Sequence, residues 1–288
     1  MQIKKVALIP NPKKDVQLKY TKQICRLLHQ AGATPVLLDS IRSALPDCPA
    51  ESAPDHDTQV QRCDAVLTVG GDGTIIHAAK HSVKYGRPLL GINCGRLGFL
   101  AELETEEIGL ITRLVSGNFT IVPRMMLQAS WRCGEHTATE CAVNDISISR
   151  GNLPHMIDIG VQCCQQNFCG YRADGMIFST PVGSTAYSLS AGGPVVDPAM
   201  DCILMTPICP HTLFARPVVF GGQNVLEVRL SLEPGECASL SIDGEPSQSI
   251  RAGEVLHIQA SPQHLQLIQI KSRLFYDIFT AKFSGSDR

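Results

Sequence analysis

The chain lacks an excess of either charge: 25 Lys and Arg stand against 27 Asp and Glu, for a net charge of −2. A broad nucleic-acid footprint needs a basic excess, so that class is excluded, and a polybasic membrane patch with it. No apolar run approaches the roughly 18 residues of a transmembrane helix. Met1-Gln2-Ile3-Lys4-Lys5 leads into a strand-like run instead of a signal peptide. Twelve cysteines are present, but no C-x-x-C pair, which removes zinc-ribbon and dithiol redox geometry. Without a secretory signal a disulfide scaffold is not expected either. The expectation is free, buried thiols acting as small hydrophobes in a reducing cytoplasm. Two phosphate motifs are also missing. The absence of G-x-x-x-x-G-K-[ST] excludes a P-loop enzyme, and the absence of G-x-G-x-x-G disfavours an ordinary dinucleotide-binding dehydrogenase.

Apolar residues make up 44% of the 288, enough for a sizeable core in two domains or one large one. The first part alternates strand and helix. Lys5 to Ile9 is a strand stopped by Pro10-Asn11-Pro12, and residues 17–31 have helical spacing closed by Gly32. Residues 35–38, 65–69 and 89–92 read as further strands, and 45–60 reads as loop. A helix runs from the glycines at 70–73 to about Lys84, and another opens at Thr105-Glu106-Glu107 and ends at Gly117. Strands separated by helices predict a doubly wound parallel sheet. After Pro123 the period changes to two. Leu226, Val228 and Leu230 alternate with Glu227, Arg229 and Ser231, and Leu256, Ile258 and Ala260 repeat the pattern. One short helix is expected near 184–191. The predicted fold class is α/β plus all-β: an α/β domain over 1–123, then a β-sandwich-like domain over 124–271. The apolar tail, 272–288, is expected to pack back on the first domain.

Four strings can carry chemistry. Gly70-Gly71-Asp72-Gly73-Thr74 joins a strand to a helix at the edge where open α/β sheets bind ligands. Its glycines let backbone approach a phosphate, and the helix start presents N–H groups to negative charge. Asp72 repels phosphate, so it suits a metal ion or the proton of an attacking hydroxyl; the plain alternative is a helix cap. Asn93 to Leu100 follows the next strand and should neighbour Asp72, with Phe99 able to lie against a base. Asn144-Asp145 interrupts an apolar run and suits ribose hydroxyls, or a bulge. Asp174 to Pro194 is rich in small hydroxyl residues, with Tyr187 offering one π-face, and suits a nucleoside better than a lipid chain. Asp243-Gly244 reads as a hairpin turn. His77 and His81 have i, i+4 spacing but Ala78 stands where a metalloprotease needs Glu, so both read as ordinary helix residues.

In order and spacing these strings resemble the NAD kinase family over nearly the whole chain. The glycine string alone is shared with diacylglycerol and sphingoid kinases; the string from Asp174 is specific. The resemblance implies phosphoryl transfer from ATP or polyphosphate to the 2′-hydroxyl of the adenosine ribose of NAD, giving NADP, with a divalent cation such as Mg²⁺. It implies Asp72 as the catalytic base and Gly71, Gly73 and Thr74 as the phosphate-handling turn. It implies dinucleotide contacts from Phe99, Asn144, Asp145, Asp174, Thr185, Ala186, Tyr187 and Ser190. It further implies a cytoplasmic homo-oligomer, a dimer or tetramer, with no nucleic-acid or membrane partner and no metal-ligating residue assigned. Two positions depart from the family pattern. Asp145 is often glutamate there, and Val182 stands where threonine is usual, so no contact is carried to 182. A lipid kinase would need an apolar acceptor channel, and a non-catalytic NAD(P)-binding regulator would have no need of Asp72.

Overall fold

The structure, a computed structural model, describes residues 2–95, 98–134, 136–212, 214–272 and 275–283, the side chains of Cys133 and Ser247 excepted. In chain order the first elements are β1 (Lys5–Pro10), α1 (Lys19–Gln30), β2 (Thr34–Leu38), α2 (Asp39–Ser43), β3 (Glu51–Ala53) and α3 (His56–Gln61). They continue with β4 (Ala65–Gly70), α4 (Asp72–Lys84), β5 (Leu89–Asn93), β6 (Leu103–Glu104) and α5 (Thr112–Ser116). A mainly antiparallel series comes next: β7 (Thr120–Cys133), β8 (His136–Ala142), β9 (Asp145–Ser149), β10 (Ile157–Cys163), β11 (Gln166–Ala173) and β12 (Gly175–Ser179). The last elements are α6 (Tyr187–Ser190), β13 (Cys202–Ile208), β14 (Val218–Gly221), β15 (Leu226–Ser231), β16 (Cys237–Ile242), β17 (Glu245–Arg251), β18 (Val255–Gln269) and α7 (Phe275–Phe283). The chain forms two compact units. One comprises the residues up to Arg124 together with those from Leu265 onward, and the other runs from Met125 to His264.

In the first unit β3, β2, β1, β4, β5 and the end of β18 pair in that order, every pair parallel. Every residue of β4 and β5 is buried, the signature of strands covered on both faces. Val6, Leu8, Leu67, Val69, Leu90 and Ile92 meet Ile24 and Leu28 of α1 in one core. The chain starts in the middle of this sheet at β1, winds outward through β2 to β3, then returns to β4 on the other side of β1. The winding direction therefore reverses between β1 and β4, and a crevice opens at their carboxyl ends. This topology positions the glycine turn after β4.

The second unit has two antiparallel sheets. β11, β10, β15 and β18 form one, with β7 joining β18 to β8; β14, β13, β12, β9, β16 and β17 form the other. Leu127, Trp131, Ile148, Phe178, Met205, Val228, Leu240 and Ile258, drawn from both sheets, share a core.

Four readings are corrected. Residues 45–60 are not all loop. Glu51–Ala53 adds a short edge strand beside β2, and α3 starts on Asp55, whose carboxylate accepts the Thr58 N–H at 2.7 Å. Polar composition hid both, because only Ala53 of the strand is buried. The helix expected from Thr105 is a 3₁₀ stretch over Thr105–Ile111 before α5, with Glu107 reaching back to the Glu104 N–H. The cysteines are free, but of the eleven described only Cys25, Cys48, Cys63 and Cys202 are buried, while Cys164, Cys209 and Cys237 are exposed. The first unit also takes up the tail from Leu265, not 272, because the end of β18 pairs with β5 through Leu267 and Leu89.

Candidate active site

Asp72 is the first residue of α4, directly after Gly71. Its half-buried carboxylate is held from the next loop: Oδ2 accepts the Phe99 N–H at 2.9 Å and Oδ1 the Leu100 N–H at 3.2 Å. Gly98 makes this approach possible, since a Cβ there would collide with Asp72 Oδ1. Thr74 turns its hydroxyl back on the loop, taking Asn11 Nδ2–H at 3.3 Å and the Gly71 N–H at 3.4 Å. Gly70 is likewise tight, because a Cβ would strike the Thr74 hydroxyl. The glycine turn thus sits at the switch between β1 and β4, braced by residues that come after β1 and β5. Asn93 is buried and bonded to Glu104 Oε2 at 2.8 Å, so it supports the loop; Arg96 and Leu97 lie outside the described residues. The Phe99 ring is engaged by the tail, with Lys282 Nζ 3.9 Å from its centroid and the Phe275 ring 6.1 Å away.

In the second unit Asn144 and Asp145 meet the hydroxyl-rich segment through backbone. Asn144 O accepts the Thr180 N–H at 2.9 Å, and Gly183 lies so close that a Cβ would enter the Asn144 carbonyl. Thr180 Oγ1 donates to Val143 O at 2.7 Å and accepts the Gly183 N–H at 3.0 Å. Asp145 is buried, and its carboxyl has no hydrogen-bond partner among the described residues. Burial first, and the nearby Asp243 carboxylate second, raise its pKa to about 7. The hydroxyls of 183–194 divide by direction. Ser184 bonds Val196 and Ser188 bonds Thr206 Oγ1 at 2.9 Å, both buried, while Tyr187 and Ser190 are exposed. Thr185 and Ala186 are half-buried, and Val182 is in the interior. Asp174 pairs with Arg150, Nε to Oδ1 3.0 Å, at the start of β12.

Two sequence profiles match this chain: the ATP-NAD kinase N-terminal domain over residues 6–119 and the ATP-NAD kinase C-terminal domain over 143–270. It is 39% identical to a NAD kinase of Symbiobacterium thermophilum, over 98% of this chain and 99% of that one. The chain belongs to the NAD kinase family. A NAD kinase of Acetivibrio thermocellus is 37% identical over 96% of both chains. A solved NAD kinase from Archaeoglobus fulgidus, in complex with ATP, is 25% identical, with a TM-score of 0.72 over 96% of this chain and 97% of that one. A yeast NADH kinase complexed with NADH, 24% identical, shares the fold with a TM-score of 0.89 over all of this chain and 89% of that one.

Within this NAD kinase fold several contacts escaped the sequence reading. Asp243 is a hairpin turn residue, as its φ of 51° and that of 78° at Gly244 require, but its carboxylate also accepts the N–H groups of Val143, Asn144 and Asp145 at 2.7–3.1 Å. Arg150 and Lys14 were likewise unmarked. The signal for Lys14 was present in the strand order, since β1 and β4 are neighbours and the segment after one must border the turn after the other. His56, His77 and His81 cluster with tilted or edge-on rings, centroids 5.2–6.0 Å apart, and His81 Nδ1 lies 2.7 Å from Asp57 Oδ1.

Proposed function

We propose that the chain transfers the terminal phosphoryl group of ATP, or of polyphosphate, to the 2′-hydroxyl of the adenosine ribose of NAD, giving NADP. The observation that carries this reading is a carboxylate fixed by two amides inside a glycine turn at the sheet's switch point. In the transfer a bond forms between the ribose oxygen and the terminal phosphorus. The bond from that phosphorus to its bridging oxygen breaks, and the electron pair leaves with the nucleoside diphosphate. The hydroxyl proton passes to Asp72, the only carboxylate of the turn. The first-turn N–H groups of α4, at Asp72 and Gly73, have no intrahelical acceptor and suit the phosphate oxygens.

Asn144, Asp145, Thr185, Ala186, Tyr187 and Ser190 take the dinucleotide in this reading. Support comes from the exposed Tyr187 and Ser190 and from the unpartnered Asp145 carboxyl. Asp174, paired with Arg150 at the other end of the β9–β12 pair from Asn144 and Asp145, adds a dinucleotide contact of its own, and Phe99 contributes its ring. Among the described residues no group of three His, Cys, Asp or Glu is arranged to hold a metal ion. A Mg²⁺ ion that arrives on ATP needs only phosphate oxygens, water and one carboxylate, and the half-buried Asp72 fits that requirement. In this reading the cation is part of the donor.

The reading includes a cytoplasmic homo-oligomer, dimer or tetramer. The exposed Phe168, Phe214 and Val219 of the second unit support a self-contact. No helix among the described residues is long and apolar enough to cross a membrane. The test is turnover of purified protein with NAD, ATP and Mg²⁺, repeated with polyphosphate and with an NAD analogue lacking the 2′-hydroxyl. NADP should form from NAD, and the analogue should bind without being phosphorylated. Phosphate on the analogue would overturn the assignment of the acceptor.

A further inference from the structure

Lys14 stands over the glycine turn. Its ammonium occupies the space where a Cβ at Gly71 would be. No hydrogen bond or ion pair engages it among the described residues, and the side chain is exposed. The backbone that carries it is fixed on both sides. Asn11 N–H donates to Val69 O at 2.8 Å, and Asn11 Nδ2–H reaches Thr74 Oγ1 at 3.3 Å. The Lys14 N–H closes a turn onto Asn11 O at 3.0 Å. On the other side Asp15 is fully buried, and its carboxylate accepts from Tyr20 N, Thr21 N and Thr21 Oγ1 at 2.6–2.9 Å. A lysine anchored this firmly at its backbone, free at its tip and aimed across a turn of glycines is a cation placed for a ligand.

The sheet explains why this residue serves the turn. β1 and β4 are neighbours at the point where the winding reverses, so the segment after β1 and the turn after β4 share one crevice. P-loop enzymes supply a lysine from the glycine loop itself; this chain has none there, since residues 70–76 hold no basic side chain. We propose that Lys14 binds the terminal phosphate of the nucleotide donor. Its ammonium offsets the charge that develops on the transferring oxygens while the ribose proton goes to Asp72. A Cβ at Gly71 would meet this ammonium, the far end of a flexible side chain, so a side chain there competes with Lys14 for the same space, while the backbone, extended at φ −143°, is one that any residue adopts.

This inference rests on the kinase reading, and MgATP binding tests it separately from turnover. Titration of MgATP into Lys14→Ala should show affinity about 10- to 100-fold weaker than wild type, the loss expected for one charge-assisted contact. Lys14→Arg should recover most of it. Gly71→Ala, which displaces the ammonium without straining the turn, should reproduce the loss. NAD affinity and melting temperature should stay near wild type in all three. In turnover, kcat/KM for ATP should fall with the same order of variants. Unchanged MgATP affinity in Lys14→Ala would overturn the proposal, and so would an equal loss of NAD affinity with a lowered melting temperature, the mark of a merely structural residue. Wild-type protein that binds MgATP through Lys14 yet makes no NADP would overturn the kinase reading and leave this one standing.

Discussion

Asp72 combines two properties that seldom meet in one side chain: it opens a helix, and both of its oxygens are held by amides of a different loop. A helix cap needs one oxygen on its own helix, and Asp72 is beyond the cap position, which Gly71 fills. Its orientation is set from Phe99 and Leu100, which leaves further lone pairs for a proton or a cation. A ribose hydroxyl is a weak nucleophile at neutral pH, and a positioned base typically contributes about 10²–10⁴ in rate. Asp72→Asn keeps the shape of the side chain but takes no proton. It should lower kcat at least about 10²-fold while NAD affinity changes little, with kcat and kcat/KM falling together. A folded variant that kept more than about a tenth of wild-type kcat would make Asp72 a purely structural anchor. The glycine string announced this residue in the sequence. The shared strand edge also announced that the 93–100 loop borders it, but not that the Phe99 and Leu100 amides, 27 and 28 residues away, hold the carboxylate.

At the scale of elements, β9 and the β16–β17 hairpin form one electrostatic unit. Asp243, in the hairpin turn, gathers three consecutive amides leading into β9, and the Asp145 carboxyl nearby has no hydrogen-bond partner among the described residues. The Asp145 carboxyl is thereby pushed toward neutrality. Asp145 has its pKa raised from 3.8 to about 7, by burial first and Asp243 second. The folded chain holds this proton up to about pH 7, whereas the unfolded chain releases it near pH 4. The associated stability is complete below about pH 4, declines as pH rises to about 7, and is absent above. Asp145→Asn carries no such charge. Its denaturant-unfolding stability relative to wild type should therefore improve between about pH 5 and about pH 8, by more than about 1 kcal/mol. A difference that does not vary with pH would mean that Asp145 does not titrate in this window. The sequence pattern was sufficient for the strands themselves, since Leu226, Val228 and Leu230 are buried where period two puts them. The link from position 243 to 143–145 depends on which hairpin pairs with β9, and local chemistry does not encode that pairing.

For the whole molecule, two units with separate cores divide the candidate residues between them. Gly71, Asp72, Gly73, Thr74, Phe99 and Lys14 belong to the first, and Asn144, Asp145, Asp174, Thr185, Ala186, Tyr187 and Ser190 to the second. The change of period near residue 123 exposed this division in the sequence, because a buried parallel sheet and a half-buried antiparallel one write different hydrophobic patterns. The return of the chain to the first unit from Leu265 was less visible, for β18 continues as one strand through the boundary at 264 and 265. Because the residues proposed for the donor lie in the first unit and those proposed for the dinucleotide, Phe99 apart, lie in the second, each ligand should leave its own mark on local opening. A ligand at about 100 times its Kd stabilises the bound form by about 2.7 kcal/mol, close to a hundredfold slower exchange wherever opening releases it. With saturating MgATP, amide hydrogen exchange should slow in the glycine turn and the first turn of α4, residues 70–76. With saturating NAD it should slow at 183–190 and at Val143, Asn144 and Asp145, whose N–H groups are bonded to Asp243 and report directly on that hairpin. Protection by NAD confined to residues 70–76 would move the dinucleotide out of the second unit and leave its exposed hydroxyl residues without a ligand.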